Sequence, residues 1–389
     1  MSPRFDSEAL RAAAESAARK SQMGSNATDQ LAPHGSIIVD DHRTSSDPQD
    51  LTTTYMGLSL ANPLVASAGP LSQNIDGIRS LSEAGVGAIV LFSLFEEQIR
   101  HEQRRALEQL EVASESFAEA LSYFPIKAAN TSGLVRSYLD LVEKATCEIS
   151  TPIIASLNGS VQGEWTQCAH QLQEAGAAGL ELNVYYVPGT IEADGRETEQ
   201  RYLDILADVK SQVTIPVAMK MSPYLSSFGQ MAHRLDEAGA DGLVLFNRYL
   251  QPDIDLDRME MVSGFELSTP QEGRLPRSWI AALYSRLNAS LAGTSGVETV
   301  DDVVKYLAAG ADVVMATSAL IRHGADYASQ LIDGVSAWLK RRQMSLSQLR
   351  GILAIPSDVD AESYRREGYV SGLERAKGLY ARTLEERYR

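Results

Sequence analysis

The chain has 389 residues, 44% of them hydrophobic and 22% charged, with a formal net charge of −16 at pH 7. That composition supports a large packed core and lacks the basic excess that a nucleic-acid or anionic-membrane partner would call for. Its two cysteines, Cys147 and Cys168, stand in no C-x-x-C spacing, and no apolar run reaches the ~18 residues of a membrane span, so no metal site, disulfide framework or membrane contact is expected.

Residues 1–50 are rich in Ser, Asp, Ala and Arg. They read as a polar, poorly ordered arm, with an Ala-rich helix over Glu8 to Lys20 and a linker from Ser21 to Asp50. Nothing in this arm resembles the apolar core of a secretory signal, so a cytoplasmic location is expected.

From residue 51 to 389 a repeat organises the chain. Glu83-Ala-Gly-Val-Gly-Ala-Ile-Val returns as Glu174-Ala-Gly-Ala-Ala-Gly-Leu-Glu-Leu, as Glu237-Ala-Gly-Ala-Asp-Gly-Leu-Val-Leu and as Ala308-Ala-Gly-Ala-Asp-Val-Val-Met. Each copy reads as a helix end, a left-handed glycine (Gly85, Gly176, Gly239, Gly310), a turn and a buried strand. Between the copies a second phrase opens strands with proline: Asn62-Pro-Leu-Val-Ala-Ser, Thr151-Pro-Ile-Ile-Ala-Ser and Ile215-Pro-Val-Ala-Met-Lys. The two phrases alternate and predict eight strands, near 63–68, 87–92, 153–157, 179–184, 216–221, 242–246, 289–293 and 313–316. Nearly all are continuous apolar runs, as strands covered on both faces should be.

Helical patterns lie between them; after the eighth strand Ala328, Leu331, Ile332, Val335, Trp338 and Leu339 share one face. Eight alternating units predict an α/β fold, a (β/α)₈ TIM barrel, over an open doubly wound sheet. An insertion over residues 93–150 follows the second strand, with a charged helix over Phe95 to Phe124 that could cover the site or serve packing or dimer contact. C-terminal helices are expected over Met344 to Leu353 and Ala361 to Arg389.

Barrel chemistry sits where strands end. Those ends read Ser67-Ala68-Gly69-Pro, Ser93, Asn158-Gly, Asn183, Lys220-Met-Ser-Pro, Asn247-Arg248, Gly293-Thr-Ser295-Gly296 and Thr317-Ser318-Ala-Leu. A lysine inside the apolar strand Val217-Ala-Met-Lys-Met needs a negative partner. A reduced flavin, negative near N1 and the C2 carbonyl, would supply it; so would a barrel carboxylate such as Glu181. Gly293-Thr-Ser-Gly-Val with Thr317-Ser-Ala-Leu one unit later looks like the phosphate site that barrels form after strands seven and eight. No G-x-G-x-x-G opens a βαβ unit, so a Rossmann dinucleotide site is not supported.

With those motifs, residues 51 to 324 resemble dihydroorotate dehydrogenases, nearest a divergent branch of the soluble class. Asn62-Pro-Leu-Val-Ala-Ser-Ala-Gly resembles the family's first flavin strand, Glu181-Leu-Asn-Val its strand-four motif and Ala218-Met-Lys-Met-Ser-Pro its flavin-lysine motif. Phe246-Asn247 matches the strand-six asparagine, and Ser295-Gly-Val with Thr317-Ser-Ala-Leu the phosphate signature. The resemblance implies FMN held by Ala68, Gly69, Ser93, Asn183, Lys220, Asn247, Ser295, Gly296, Thr317 and Ser318. It implies a small-molecule substrate held by Asn130, Asn183 and Asn247, an unidentified electron acceptor, and a homodimer like those of the soluble members. The family's activity is oxidation of dihydroorotate to orotate in pyrimidine synthesis.

The sequence departs from the family at the base. Tyr186 stands where soluble members carry a catalytic cysteine, and Phe92 stands where they carry a strand-two lysine. Tyr186 is therefore the candidate catalytic residue, with its neighbour Tyr185 as the alternative proton donor. An ordinary tyrosine, with a pKa of about 10, is a poor base near neutrality but a usable acid. That leaves open a flavin ene-reductase acting on another substrate, or a flavin-binding redox partner without small-molecule turnover of its own.

Overall fold

The computed structural model describes residues 50–98, 133–159, 164–186, 189, 191–249, 252–262, 264 and 266–387. The polar arm, most of the charged segment from Phe95 to Phe124, and Asn130 lie outside the described residues.

The chain opens with a hairpin of β1 (Thr53–Tyr55) and β2 (Leu58–Leu60). Next come β3 (Leu64–Ala66), β4 (Ala88–Phe95), β5 (Ile153–Gly159), β6 (Gly179–Val184), β7 (Val217–Met221) and β8 (Gly242–Leu245). A second hairpin, β9 (Asp253–Asp255) with β10 (Glu260–Val262), precedes β11 (Ser290–Gly293) and β12 (Val313–Ala316). Strands β3 to β8, β11 and β12 pair in parallel, and β12 returns to β3 to close an eight-stranded barrel. The expected (β/α)₈ TIM barrel is the observed fold.

Eight helices carry most of the outer layer: α1 (Ile75–Glu83), α2 (Gly133–Glu148), α3 (Glu164–Glu174), α4 (Gly195–Lys210), α5 (Phe228–Glu237), α6 (Arg274–Leu283), α7 (Val300–Ala309) and α8 (Ser318–His323). Helices α9 (Tyr327–Arg342), α10 (Leu346–Leu349) and α11 (Ala361–Arg387) follow. Helix α10 covers only part of the segment expected over Met344 to Leu353, because Arg350 is extended and Gly351 takes φ 74°.

The repeat has a physical basis. Gly85, Gly176, Gly239 and Gly310 all have positive φ where their helices end. In two copies the next polar residue ties neighbouring strands: Asp241 accepts from Val217 N–H at 2.7 Å and Asp312 from Leu291 N–H at 2.8 Å.

Two cores follow from strand alternation. Leu64, Ile89, Leu91, Leu180 and Leu243 face the helices. Val65, Val90, Ile154, Ala218, Val244, Ala292 and Met315 fill the barrel, joined by Tyr55, Met56 and Leu60 from the first hairpin. That hairpin therefore plugs the end of the barrel away from the strand C-termini. Gly179 and Gly242 make room for it; a Cβ at Gly242 would lie 2.9 Å from Met56.

Candidate active site

Above the inner core, a cavity of about 500 Å³ opens at the C-terminal ends of the strands. Its floor is set by ladder register. Asn183 on β6 pairs with Lys220 on β7, and Glu181 lies one inward step lower, opposite Ala218. Lys220 Nζ sits 3.1 Å from Glu181 Oε1 and 3.4 Å from Ser67 Oγ, with its side chain only 9% exposed. The lysine has the carboxylate partner that the sequence offered as one alternative, and it still forms part of the cavity wall.

Asparagines supply the polar walls. Asn158, Asn183 and Asn247 end β5 and β6 and follow β8, and all three line the cavity. Asn247 Nδ2 donates to Asn183 Oδ1 at 2.8 Å.

On β4 a register shift between Val90 and Ser93 changes which residues face inward. Phe92 turns out to the helices, its ring 5.0 Å from that of Tyr138. Ser93 turns in, hydrogen-bonds Ser156 Oγ at 2.9 Å and lines the cavity, as does Phe95. The expected strand over 87–92 thus runs on to Phe95, the residue at which a helix was expected to begin.

Another part of the cavity wall is built from small residues and hydroxyls. Ser295 and Gly296 take φ 75° and 65°. A Cβ at Gly296 would meet Thr269 O at 2.5 Å and Gly273 N at 2.7 Å, so no other residue fits there without displacement. Ser268 Oγ accepts from Gly296 N–H at 3.2 Å and lies 3.0 Å from Ser318 Oγ. Tyr306 fixes this loop from below by donating to Thr294 O at 2.6 Å and Ser295 O at 2.7 Å. Helix α8 starts at Ser318, where first-turn N–H groups have no intrahelical acceptor.

Of the sequence-predicted residues, Ala68, Ser93, Asn183, Lys220, Asn247, Ser295, Gly296, Thr317 and Ser318 line this one cavity. Gly69 stands beside it, its Cα so close to Thr317 that a Cβ would meet Thr317 Cγ2 at 2.6 Å. The two neighbouring tyrosines after β6 take different places. Tyr185 lines the cavity and stacks on Tyr249 with ring centroids 4.4 Å apart. Tyr186 lies outside the lining, its ring 4.0 Å from the Arg201 guanidinium. The cause is local: Tyr185 N–H donates to Asn183 O at 2.9 Å, a tight turn that ends strand alternation.

Ser67, Asn158, Ser268 and Arg248 also line the cavity; the sequence places all but Ser268 at strand ends without giving them a role. Asn158 carried a signal as one of three strand-end asparagines; Ser268 sits in irregular chain and carried none. Arg248 is held by Glu272, with Nε 2.6 Å from Oε2, and by the Glu266 carbonyl. Partial burial alone would raise the Glu272 carboxyl, but hydrogen bonds from Arg248 and Thr269 outweigh it and hold the group below its usual range.

A family model described as dihydroorotate dehydrogenase matches residues 50–339. The chain belongs to the dihydroorotate dehydrogenase family. It is an oxidoreductase, and a divergent member. The catalytic subunit of dihydroorotate dehydrogenase B (NAD(+)) from Methanocella arvoryzae is 27% identical over 306 residues, covering 78% of this chain and 97% of that one. A putative dihydroorotate dehydrogenase A (fumarate) from Aeropyrum pernix is 26% identical over 302 residues, 75% of this chain and 92% of that one. The NAD-dependent dihydropyrimidine dehydrogenase subunit PreA of Escherichia coli is 24% identical over 338 residues, 82% of this chain and 80% of that one. Among the described residues, no helix is long and apolar enough to cross a membrane.

Dihydroorotate dehydrogenases use FMN, and the residues present fit that group. A buried ammonium and two asparagine amides line the cavity together with a hydroxyl-bearing loop in which Gly296 leaves no room for a side chain.

Proposed function

We propose that the chain is an FMN-dependent oxidoreductase that removes hydrogen across a CH–CH bond of a small ring substrate. The observation that carries this reading is the single cavity joining Lys220 and the Asn183–Asn247 pair to the Gly296–Ser318 loop. Lys220 would face the N1 and C2-carbonyl side of the isoalloxazine, while Ser295, Gly296, Thr317 and Ser318 would hold the phosphate. Bound FMN would supply the two-electron acceptor for the C–H bond that breaks.

This chain's own residues supply binding and proton handling. Asn183 and Asn247 present amide donors and acceptors to a ring amide of the substrate, and Asn130 is proposed to add a third. Tyr185, rather than Tyr186, is the residue we assign to hold or release the substrate proton at its phenol oxygen, because it faces the cavity. Residues 51–389 would form the working barrel and its C-terminal helices. A separate molecule would regenerate the oxidised cofactor; the names of relatives include NAD(+) and fumarate.

A second reading concerns the substrate's charge. Lys220 and Arg248 carry positive charge among the described lining residues, and each is already ion-paired, with Glu181 and Glu272. That favours an uncharged dihydropyrimidine ring over a carboxylate-bearing one. The test is a panel of dihydroorotate, dihydrouracil and dihydrothymine added to the FMN-loaded protein without oxygen. Reduction by any of the three supports the CH–CH reading, and the ranking assigns the charge. Oxidation of the chemically reduced protein by an unrelated activated alkene alone would favour an ene-reductase instead.

A further inference from the structure

Glu181 is 1% exposed inside the barrel. Its Oε1 takes the Lys220 ammonium at 3.1 Å, while its Oε2 is buried without a hydrogen-bond partner among the described residues. The Tyr55 hydroxyl, from the hairpin plug, is buried and unpartnered in the same way. Burial first, and the Glu181 charge second, push that phenol well above its ordinary value.

A buried pair with one unsatisfied oxygen is a poor device for stability; well-packed apolar residues of similar volume often do as well or better. Its effect on charge is more direct. The ladder places Glu181 one inward step below Lys220, on the side away from the cavity. One ammonium N–H points to Glu181 and one to Ser67, which leaves the third for the cavity. A carboxylate behind the lysine offsets much of the positive potential that the lysine projects forward.

We infer that Glu181 is a positioning residue that, acting through Lys220, sets the preference of the site for oxidised over reduced flavin. This rests on reading the cavity as a flavin site. The oxidised ring is neutral and the reduced ring carries negative charge, so an unopposed Lys220 would favour the reduced form. Glu181 weakens that preference and keeps the bound cofactor ready to pass its electrons on.

The test uses the full chain reconstituted with FMN. In anaerobic potentiometric titration, Glu181→Gln should move the midpoint to more positive potential, with reduced FMN gaining affinity over oxidised FMN by on the order of tenfold. Glu181→Asp keeps the charge but withdraws it by one methylene and should shift the midpoint the same way by less. Without flavin, Glu181→Gln should lower the thermal midpoint, and adding Lys220→Met should restore part of the loss. A midpoint unchanged or moved negative in a flavin-loaded Gln or Asp variant overturns the inference, because a purely structural pair would not move it. If neither variant binds FMN while the wild type does, Glu181 is required for binding itself and the inference is likewise overturned. A wild-type chain that takes up no FMN overturns the cofactor reading beneath it.

Discussion

Asn247 Nδ2 donates a 2.8 Å hydrogen bond to Asn183 Oδ1, joining the C-terminal ends of β8 and β6 across β7, the strand between them that carries Lys220. Removing one partner strands the other at a site where Asn183 is 6% exposed, a loss of about 1–3 kcal/mol. Asn247→Ala should therefore lower the thermal midpoint by a few degrees and raise the substrate KM roughly tenfold. FMN should stay bound, and unchanged substrate kinetics in this variant would remove the pair from the substrate site.

Gly296→Ala should weaken FMN binding sharply while leaving the barrel's circular dichroism intact. The added Cβ would meet backbone atoms at 2.5 and 2.7 Å at a residue with φ 65°, so the loop must move. Gly264→Ala, where no atom of the described residues lies within 4 Å of the added Cβ, is the matched control and should bind FMN as the wild type does. Flavin fluorescence quenching measures both.

Tyr185→Phe should lower turnover by roughly 10²–10⁴, the usual range for a positioned proton-transfer group, with FMN retained. Tyr186→Phe should be far milder, because that ring packs against Arg201 outside the cavity. The opposite ranking in the same assay would return the proton-transfer role to Tyr186.

The Arg248–Glu272 pair gives a signed pH prediction. The folded Glu272 carboxyl lies below its usual range, so its contribution is complete above the unfolded value, about 4.3, and fades as pH falls through the lower folded value. Glu272→Gln should flatten the acid side of the stability profile, modestly because the pair is partly solvent-screened. Thermal melts from pH 6 down to pH 3 would show it.

A chain starting at Leu51 should keep its flavin and its thermal midpoint. The barrel plug begins at Thr53 and the family match at residue 50. Loss of both properties would show that residues 1–50 pack on the barrel.

The barrel was readable because parallel strands covered on both faces appear as continuous apolar runs, and because the glycine phrase marks each helix-to-strand turn. Lys220 and the Gly296 loop were readable for a related reason: a charge inside an apolar run and paired small-residue turns are locally conspicuous. Which residues face the cavity was less legible where the backbone leaves strand geometry. The shift on β4 turns Phe92 to the helices and Ser93 to the cavity, and the turn after Asn183 puts Tyr185 in the lining while Tyr186 packs on Arg201. Ser268 reaches the Gly296 loop from irregular chain 28 residues away, a contact with no local pattern. The three-residue hairpin strands are too short and too unevenly buried to show a period.

The most direct test of the central claim is the visible absorption spectrum of the FMN-reconstituted full chain, followed without oxygen during addition of dihydroorotate and of dihydrouracil. The account predicts one FMN per chain and bleaching of the flavin band by at least one of these substrates, with Lys220→Ala weakening flavin binding. A protein that stays colourless with excess FMN, or a bound flavin that no dihydropyrimidine reduces, would contradict it.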